Sequence, residues 1–185
     1  WELSASTSGS TVHVVWEDSR DSLFLNTEIY YKRSIDGGLT WDAEVQLSND
    51  PDYSGFPSIA ASGSFVHVVW DDNRNVKGSI YYKRSTDEGL SWGEEIRISD
   101  DSGDSWMPCV AASDTGVHVV WHDWNDGLQG GIYYKQSTDK GITWGTDTCL
   151  INSPGEAIFP SISASGAMVH IVWFDSRLET EEIFY

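Results

Sequence analysis

The sequence VHVVW occurs at residues 12–16, 66–70 and 117–121, and VHIVW follows at residues 169–173. Within each copy the side chains from valine to tryptophan alternate in character, the period of two that is typical of a β-strand. The tryptophans that end the four copies are separated by 54, 51 and 52 residues. One short strand therefore recurs about every 52 residues, and a period of this length indicates a repeat architecture.

Three further segments recur in the same register as VHVVW. "PSIAAS" precedes it, "IYYKRS" follows it, and "EVQLS" or "EIRIS" comes last. Gly, Ser, Asn and Asp fill the gaps, and no stretch has helical periodicity. Four short strands in about 52 residues predict an all-β fold, a β-propeller built of four-stranded antiparallel blades. A parallel β-helix has shorter turns, and a tandem of β-sandwiches needs longer units.

The expected organisation is a single β-propeller domain, or part of one, over residues 1–185. The expected blades are blade 1 at about 1–50, blade 2 at about 51–102, blade 3 at about 103–154 and a partial blade 4 at 155–185. The last blade lacks its fourth strand. The sequence therefore predicts further blades on a longer polypeptide, self-association that completes the ring, or a compact four-bladed ring.

A second repeated motif lies between the third and fourth strands of three blades. It reads SIDGGLTW at 34–41, STDEGLSW at 85–92 and STDKGITW at 137–144. Its aspartate can accept hydrogen bonds from turn N–H groups, its glycine can adopt a positive φ, and its tryptophan can pack on the blade. The residues assigned this structural role are Ser34, Asp36, Gly38, Trp41, Ser85, Asp87, Gly89, Trp92, Ser137, Asp139, Gly141 and Trp144.

The pattern Ser-x-Asp-x-Gly-x-Thr-Trp resembles the Asp-box, or bacterial neuraminidase repeat, of sialidase-like propellers. The second copy departs from it only at Ser91, and the resemblance covers nearly the whole chain. The resemblance implies a ring of six to eight blades, with the boxes on the rim away from the active site. It also implies a secreted or cell-surface protein.

The opposite edge carries the longest loops, between the second and third strands and between blades. Function usually resides in such loops. An Asp stands two residues after each VHVVW tryptophan, and an Arg follows two residues later in three of the four blades. These residues form either local Asp–Arg turns or a face for carboxylates and sugar hydroxyls. The ligand-face candidates are Asp18, Arg20, Asp72, Arg74, Asp123, Trp124, Asp175 and Arg177.

Catalysis in sialidases, as the resemblance implies, uses an arginine triad, a Tyr–Glu pair and an Asp acid/base. The first arginine usually belongs to an Arg-Ile-Pro motif on the first strand. The matching segments here begin with Gly55, Trp106 and Ile158, and blade 1 has Trp1. We therefore assign no catalytic residue and expect a non-catalytic recognition and scaffold module for a glycan or protein ligand. The alternatives are part of a sialidase-like exo-glycosidase with its catalytic residues in other blades, and a structural subunit of an extracellular assembly.

The net charge of the chain argues against two classes of partner. With 29 acidic against 11 basic side chains and a net charge of −18, the chain is unsuited to nucleic acid or to anionic membranes. The histidine in each VHVVW copy is expected to pack inside the sheet, so no metal site is predicted there. Asp100, Asp101 and Asp104 form the one candidate Ca²⁺ site. Cys109 and Cys149 are expected to be free thiols, since two strands should separate them.

Overall fold

A computed structural model describes residues 2–20, 26–75, 77–100, 103–125, 130–152, 157–176 and 182–184. Every regular element in these ranges is a β-strand, and the strands form four separate antiparallel sheets. Three sheets have four strands, and the last has three strands among the described residues. The prediction of an all-β fold made of antiparallel blades is confirmed. None of the described ranges contains a helix that could cross a membrane.

Each sheet is a meander of strands that are consecutive in the chain. The first sheet contains β1 (Leu3–Ser8), β2 (Thr11–Asp18), β3 (Glu28–Ser34) and β4 (Val45–Gln46). The second contains β5 (Ser54–Ser62), β6 (Phe65–Asn75), β7 (Lys77–Ser85) and β8 (Ile96–Arg97). The third contains β9 (Gly103–Ser113), β10 (Gly116–Asn125), β11 (Gly131–Ser137) and β12 (Thr148–Asn152). The fourth contains β13 (Ala157–Ser165), β14 (Met168–Asp175) and β15 (Glu182–Phe184). We refer to these sheets as blades 1 to 4.

The hydrophobic core lies between blades, not within one. Val15, Ile29 and Tyr31 of blade 1 pack against Val68 and Trp70 of blade 2 in one cluster of buried side chains. An equivalent cluster joins blades 2 and 3, and a smaller one joins blades 3 and 4. Each blade therefore has a near face toward the preceding blade and a far face toward the next one. The period-two alternation of the second strand distributes its side chains between the two faces.

The repeated histidine is a buried packing residue in three blades. The Nδ1 atoms of His13, His67 and His118 each lie 2.7 Å from a tyrosine hydroxyl on the neighbouring strand. Burial lowers the pKa of His13 and of His67 to about 4, so both rings are neutral at physiological pH. A neutral imidazole bonded to a phenol suits a role in packing inside the sheet.

The eight-residue box closes on itself through its serine and aspartate. In the first box, Asp36 accepts hydrogen bonds from the Thr40 hydroxyl at 2.6 Å and from the Thr40 N–H at 2.8 Å. Ser34 donates to Asp36 at 2.7 Å and accepts from the Gly38 N–H at 2.8 Å. These bonds, led by that of the Thr40 hydroxyl, lower the pKa of Asp36 to about 2. The other two boxes repeat the same bonds.

The box also joins neighbouring blades, which the sequence pattern alone does not indicate. Trp92 in the box of blade 2 meets Tyr31 of blade 1 edge to face, with ring centroids 4.9 Å apart. Trp144 in the box of blade 3 meets Tyr82 of blade 2 in the same way, also at 4.9 Å. The box tryptophan therefore reaches the far face of the preceding blade instead of packing only on its own.

Candidate functional site

The first strand of each of blades 2 to 4 contains a bulge just before a proline. Phe56, Met107 and Phe159 have φ angles of 46°, 53° and 51°, although they are not glycines. Pairing with the second strand shifts register at the same points. A left-handed residue before proline is sterically disfavoured, so the surrounding structure must hold it. Three equivalent bulges indicate a shared constraint at this edge of the sheets.

The bulges border a cleft where the first strands of all four blades converge. We call it the inner cleft; its volume is about 250 Å³. Its lining is mainly apolar, with Glu2, Ser4 and Ser58 among its polar residues. The bulge residues and the prolines after them supply much of the wall: Phe56, Pro57, Met107, Pro108, Phe159 and Pro160. An aromatic and proline wall offers flat apolar surfaces on which a sugar ring can stack.

Carboxyl groups of the preceding blade hold two of the bulges. Glu17 of blade 1 accepts a hydrogen bond from the Phe56 N–H at 3.3 Å and one from the Tyr53 hydroxyl at 3.4 Å. Asp71 of blade 2 accepts one from the Met107 N–H at 3.0 Å. Glu17 and Asp71 occupy the same place in the repeat, directly after the VHVVW tryptophan. The shape of the inner cleft therefore depends on side chains that lie behind its wall.

Asp71 is the most perturbed acid at this edge. Asp71 is 0% exposed, and its Oδ1 atom has no hydrogen-bond partner among the described residues. Burial raises the pKa of Asp71 to about 8, with smaller contributions in the same direction from Glu17 and Asp72, although the Met107 N–H opposes the shift. The carboxyl is therefore mostly protonated at neutral pH, as burial without a counter-ion dictates.

A second depression lies beside the third and fourth strands of blade 1, apart from the inner cleft. We call it the outer recess; its volume is about 520 Å³. Its lining residues are Asp18, Asn26, Glu28, Gln46, Asn49, Asp50 and Pro51. Glu28 is 8% exposed, and burial raises its pKa even though Ser48 and the Asp50 N–H donate hydrogen bonds to it. Carboxylates beside carboxamides provide many acceptors and donors for hydroxyl groups.

The candidate arginines point their donors at the protein's own carboxylates. Arg74 donates to both oxygens of Asp72, at 2.8 and 2.5 Å, and also bonds Glu95. Its guanidinium lies 4.1 Å from the ring centroid of Tyr81. Arg20 bonds Asp18 and Glu44 and lies 4.4 Å from the Tyr30 centroid. Each arginine thus fixes a turn and covers an aromatic ring.

The other candidates lie along the same edge of the sheets. Asp123 is buried, accepts a hydrogen bond from Ser105 at 2.6 Å and has its pKa raised by burial. Asp175 accepts one from the indole N–H of Trp173 at 3.3 Å. Trp124 is 43% exposed. Arg177 lies outside the described residues. The structure thus brings Asp18 to the outer recess and leaves Trp124 open to solvent.

The positions that match the expected arginine are filled differently in each blade. At Gly55 an added Cβ atom would lie 1.9 Å from the Tyr53 hydroxyl, so the phenol occupies the space of a side chain there. Trp106 packs against Gly78, where an added Cβ would lie 2.7 Å from the indole. Ile158 belongs to β13, and Trp1 lies outside the described residues.

Sequence reasoning missed the residues that shape the inner cleft. Glu17, Asp71, His122 and Phe174 follow the repeated tryptophan and differ from blade to blade, whereas their neighbours repeat. The sequence offers one signal for them: an acidic residue stands where the period-two alternation of the strand predicts a buried side chain. The left-handed residues before proline carry no such signal, because phenylalanine and methionine do not favour that conformation.

The calcium hypothesis stays a prediction. The described residues contain no group of three or more side chains able to hold a metal ion, and Asp101 lies outside them. Asp104 accepts a hydrogen bond from the Gly78 N–H at 2.9 Å. Cys109 and Cys149 are both free, as the strand arrangement predicts.

No family model matches this sequence, and no curated protein matches it. Solved structures resemble the chain closely in fold. Hadza microbial sialidase Hz136 matches with a TM-score of 0.74 and 15% identity, over 98% of this chain and 43% of its own. The fold is a β-propeller fold.

Two further structures support this assignment of the fold. Trypanosoma rangeli sialidase, in complex with 2,3-difluorosialic acid, has a TM-score of 0.69 and 13% identity, over 94% of this chain and 34% of its own. Penicillium chrysogenum α-L-arabinanase, complexed with arabinobiose, has a TM-score of 0.61 and 16% identity, over 90% of this chain and 56% of its own. The chain thus spans between about one third and just over half of these proteins.

Proposed function

We propose that this chain is a secreted or cell-surface propeller module that binds a glycan at the edge carrying the inner cleft. The observation that carries the proposal is the convergence of four first strands on a cleft walled by Phe56, Phe159 and prolines. Apolar faces beside hydrogen-bonding groups suit sugar rings. The solved neighbours include a sialidase with a sialic acid derivative and an arabinanase with arabinobiose, which supports a glycan as ligand.

We propose that this binding is non-catalytic. The support is chemical: the places where the sialidase resemblance implies an arginine hold Gly55, Trp106 and Ile158. A carboxylated sugar needs a cation for tight binding, and bidentate pairing requires an arginine with free donors. Arg20 and Arg74 direct their donors to Asp18 and Asp72 instead. A neutral glycan therefore suits the inner cleft better than a sialylated one.

The outer recess and the exposed indole extend the proposed ligand face. Asp18 would accept hydrogen bonds from sugar hydroxyls, and Trp124 would stack on an apolar sugar face. The remaining candidates would support that face by holding its turns; they are Arg20, Arg74, Asp72, Asp123 and Asp175.

The test is a binding measurement by saturation-transfer NMR and calorimetry with arabinobiose and 3′-sialyllactose. We expect arabinobiose to bind more tightly, and Phe159→Ala to weaken its binding about tenfold. Phe65→Ala is the matched control, because Phe65 lies in the opposite hairpin, beside Lys140. Equal loss in both variants, or no binding of either sugar, would refute the proposal.

A sialidase-like exo-glycosidase is the second candidate, and the fold of the solved neighbours favours it. Its catalytic residues would lie in further blades, since this chain spans only 34% to 43% of those sialidases. The test is hydrolysis of a fluorogenic sialoside by the protein purified from its native source. Turnover that co-purifies with this chain would establish the second candidate over the first.

A further inference from the structure

The wall of the inner cleft is poor in hydrogen-bond donors. Three of its residues are prolines, which have no backbone N–H: Pro57, Pro108 and Pro160. The N–H groups of the bulge residues Phe56 and Met107 are used behind the wall, where they donate to Glu17 and Asp71. A ligand in the cleft therefore meets few donors, and the acceptors of a carboxylated sugar would find few partners there.

The serine hydroxyls of the wall are bound to the protein itself. The Ser4 hydroxyl accepts a hydrogen bond from the Ile59 N–H at 3.3 Å, and the Ser58 hydroxyl accepts one from the Val110 N–H at 3.1 Å. Both bonds join the first strand of one blade to the first strand of the next blade. Since these hydroxyls hold neighbouring blades together, the exposed side chain of Glu2 is the main polar group that the lining offers to a ligand.

The inner cleft is also negatively charged. Glu2 is acidic, and none of the described residues that line the cleft is a lysine, an arginine or a histidine. The Glu17 N–H donates to the Glu2 carbonyl at 3.2 Å, so these two acidic residues are neighbours. Burial raises the pKa of the Tyr53 hydroxyl, and the charges of Asp71, Glu17 and Glu2 raise that pKa further. The negative potential of these acids favours a positively charged ligand.

We propose that the inner cleft selects a sugar that carries a free amine, a 2-amino-2-deoxyhexose unit, and this selectivity rests on the glycan site proposed above. The Glu2 carboxylate binds the ammonium group, and the apolar face of the sugar ring stacks on Phe159 and the neighbouring prolines. An ammonium group is a donor without acceptor atoms, so it matches a wall that is poor in donors. Its hydrogen bond to a carboxylate is charge-assisted, and such bonds are stronger than those between neutral groups.

The same wall disfavours two related classes of sugar. An acetylated amine has no charge, and its amide brings a carbonyl acceptor to a wall with few donors. A sialylated or uronic sugar brings a carboxylate close to Glu2, and the two like charges repel each other. We therefore expect affinity to fall from amino sugars through neutral sugars to carboxylated sugars.

The test compares two disaccharides that share one skeleton: chitobiose, with free amines, and N,N′-diacetylchitobiose. Calorimetry at about pH 6, where the sugar amines are protonated, measures both affinities at low and at high salt. We expect chitobiose to bind at least about fivefold more tightly at about 20 mM salt. The ratio of affinities should fall toward one at about 500 mM, because salt screens the pairing of exposed charges. A ratio of one at low salt would overturn the proposal.

Glu2→Gln should bring the ratio of the two affinities to about one and leave the affinity for the diacetylated disaccharide unchanged. Glu94→Gln is the matched control, because it removes the same charge from an exposed residue after the box of blade 2, at the opposite edge of the sheets. This control should keep the preference for chitobiose. Equal effects of the two variants would refute a direct contact with Glu2, since the overall charge of the chain would then account for the preference.

The possible outcomes distinguish the amine preference from the glycan site itself. If the diacetylated disaccharide binds and Phe159→Ala weakens its binding, but the free amines add nothing, the glycan site stands and the amine preference is wrong. If neither disaccharide binds, or Phe159→Ala changes neither affinity, both proposals fail together. Ethanolamine, an amine without a sugar ring, should bind at least about tenfold more weakly than chitobiose. Equal binding of ethanolamine would replace the amino-sugar site with a general cation site.

Discussion

The Asp71 carboxyl group of blade 2 accepts a hydrogen bond from the Met107 N–H of blade 3, with 3.0 Å between Oδ2 and the nitrogen. This one contact connects the core between two blades with the wall of the inner cleft, because Met107 lines that cleft. Its acceptor is a buried acid that burial keeps mostly protonated at neutral pH. The cleft edge therefore contains a group whose proton is coupled to folding.

Asp71→Asn should remove one source of pH dependence from the stability. The folded pKa, about 8, lies above the ordinary value of 3.8, so the folded state holds the proton more tightly. Stability is therefore lost as pH rises from about 4 to about 8, and it is level above that. We expect the variant to be more stable than the parent by roughly 2–4 kcal/mol at pH 8 and nearly equal at pH 4. Urea unfolding at both pH values measures this, with the exposed Asp52→Asn as control. The same stability difference between variant and parent at both pH values would contradict the prediction.

Gly89→Ala should destabilise the protein much more than Gly38→Ala. Both glycines have positive φ, 82° and 94°, so both variants carry the strain of a left-handed alanine, about 1 kcal/mol. Only at Gly89 would the new Cβ meet the Tyr31 hydroxyl of the preceding blade. The displaced ring adds roughly 1–3 kcal/mol. Thermal unfolding of the two variants measures the difference. Equal losses would show that the tyrosine yields without cost.

Arg74→Ala should destabilise the protein on the order of 3 kcal/mol, because it leaves the buried Asp72 carboxylate without its main partner. Asp72 is 0% exposed, and the hydrogen bonds of Arg74 lower its pKa against the opposing effect of burial. Arg20→Ala should have a small effect, since Arg20 and Glu44 are both exposed. Chemical denaturation of each variant, beside sugar titrations, separates the two roles of these arginines. Weakened sugar binding with unchanged stability would establish them as ligand contacts instead.

Ellman's reagent should titrate two thiols per chain without prior reduction, because both cysteines are free. Cys149 is exposed and Cys109 is partly buried beside the inner cleft, so two kinetic phases are expected. The slow phase should disappear in Cys109→Ser and the fast phase in Cys149→Ser. The absence of any titratable thiol in the unfolded chain would indicate a disulfide that the strand arrangement does not allow.

The sequence by itself determined the strand pattern, the period and the box. Alternation with period two and turn-forming residues are local properties, so VHVVW and the box could be interpreted without any knowledge of packing. The same local rule assigned His13 to packing, and it lies buried against Tyr31. The Asp–Arg turns were also recognisable from spacing, since Asp18 and Arg20 are only two residues apart.

Only the tertiary structure decided what these elements meet. The box tryptophan contacts a tyrosine about one repeat earlier in the chain, and Asp71 contacts an N–H group 36 residues later. Such pairs join residues of different sheets. Their separation in the sequence depends on how the blades stack, so no pattern within one repeat reveals them. The inner cleft likewise exists only where four first strands converge. Burial raised the pKa of Asp71, and burial is a property of the assembled blades.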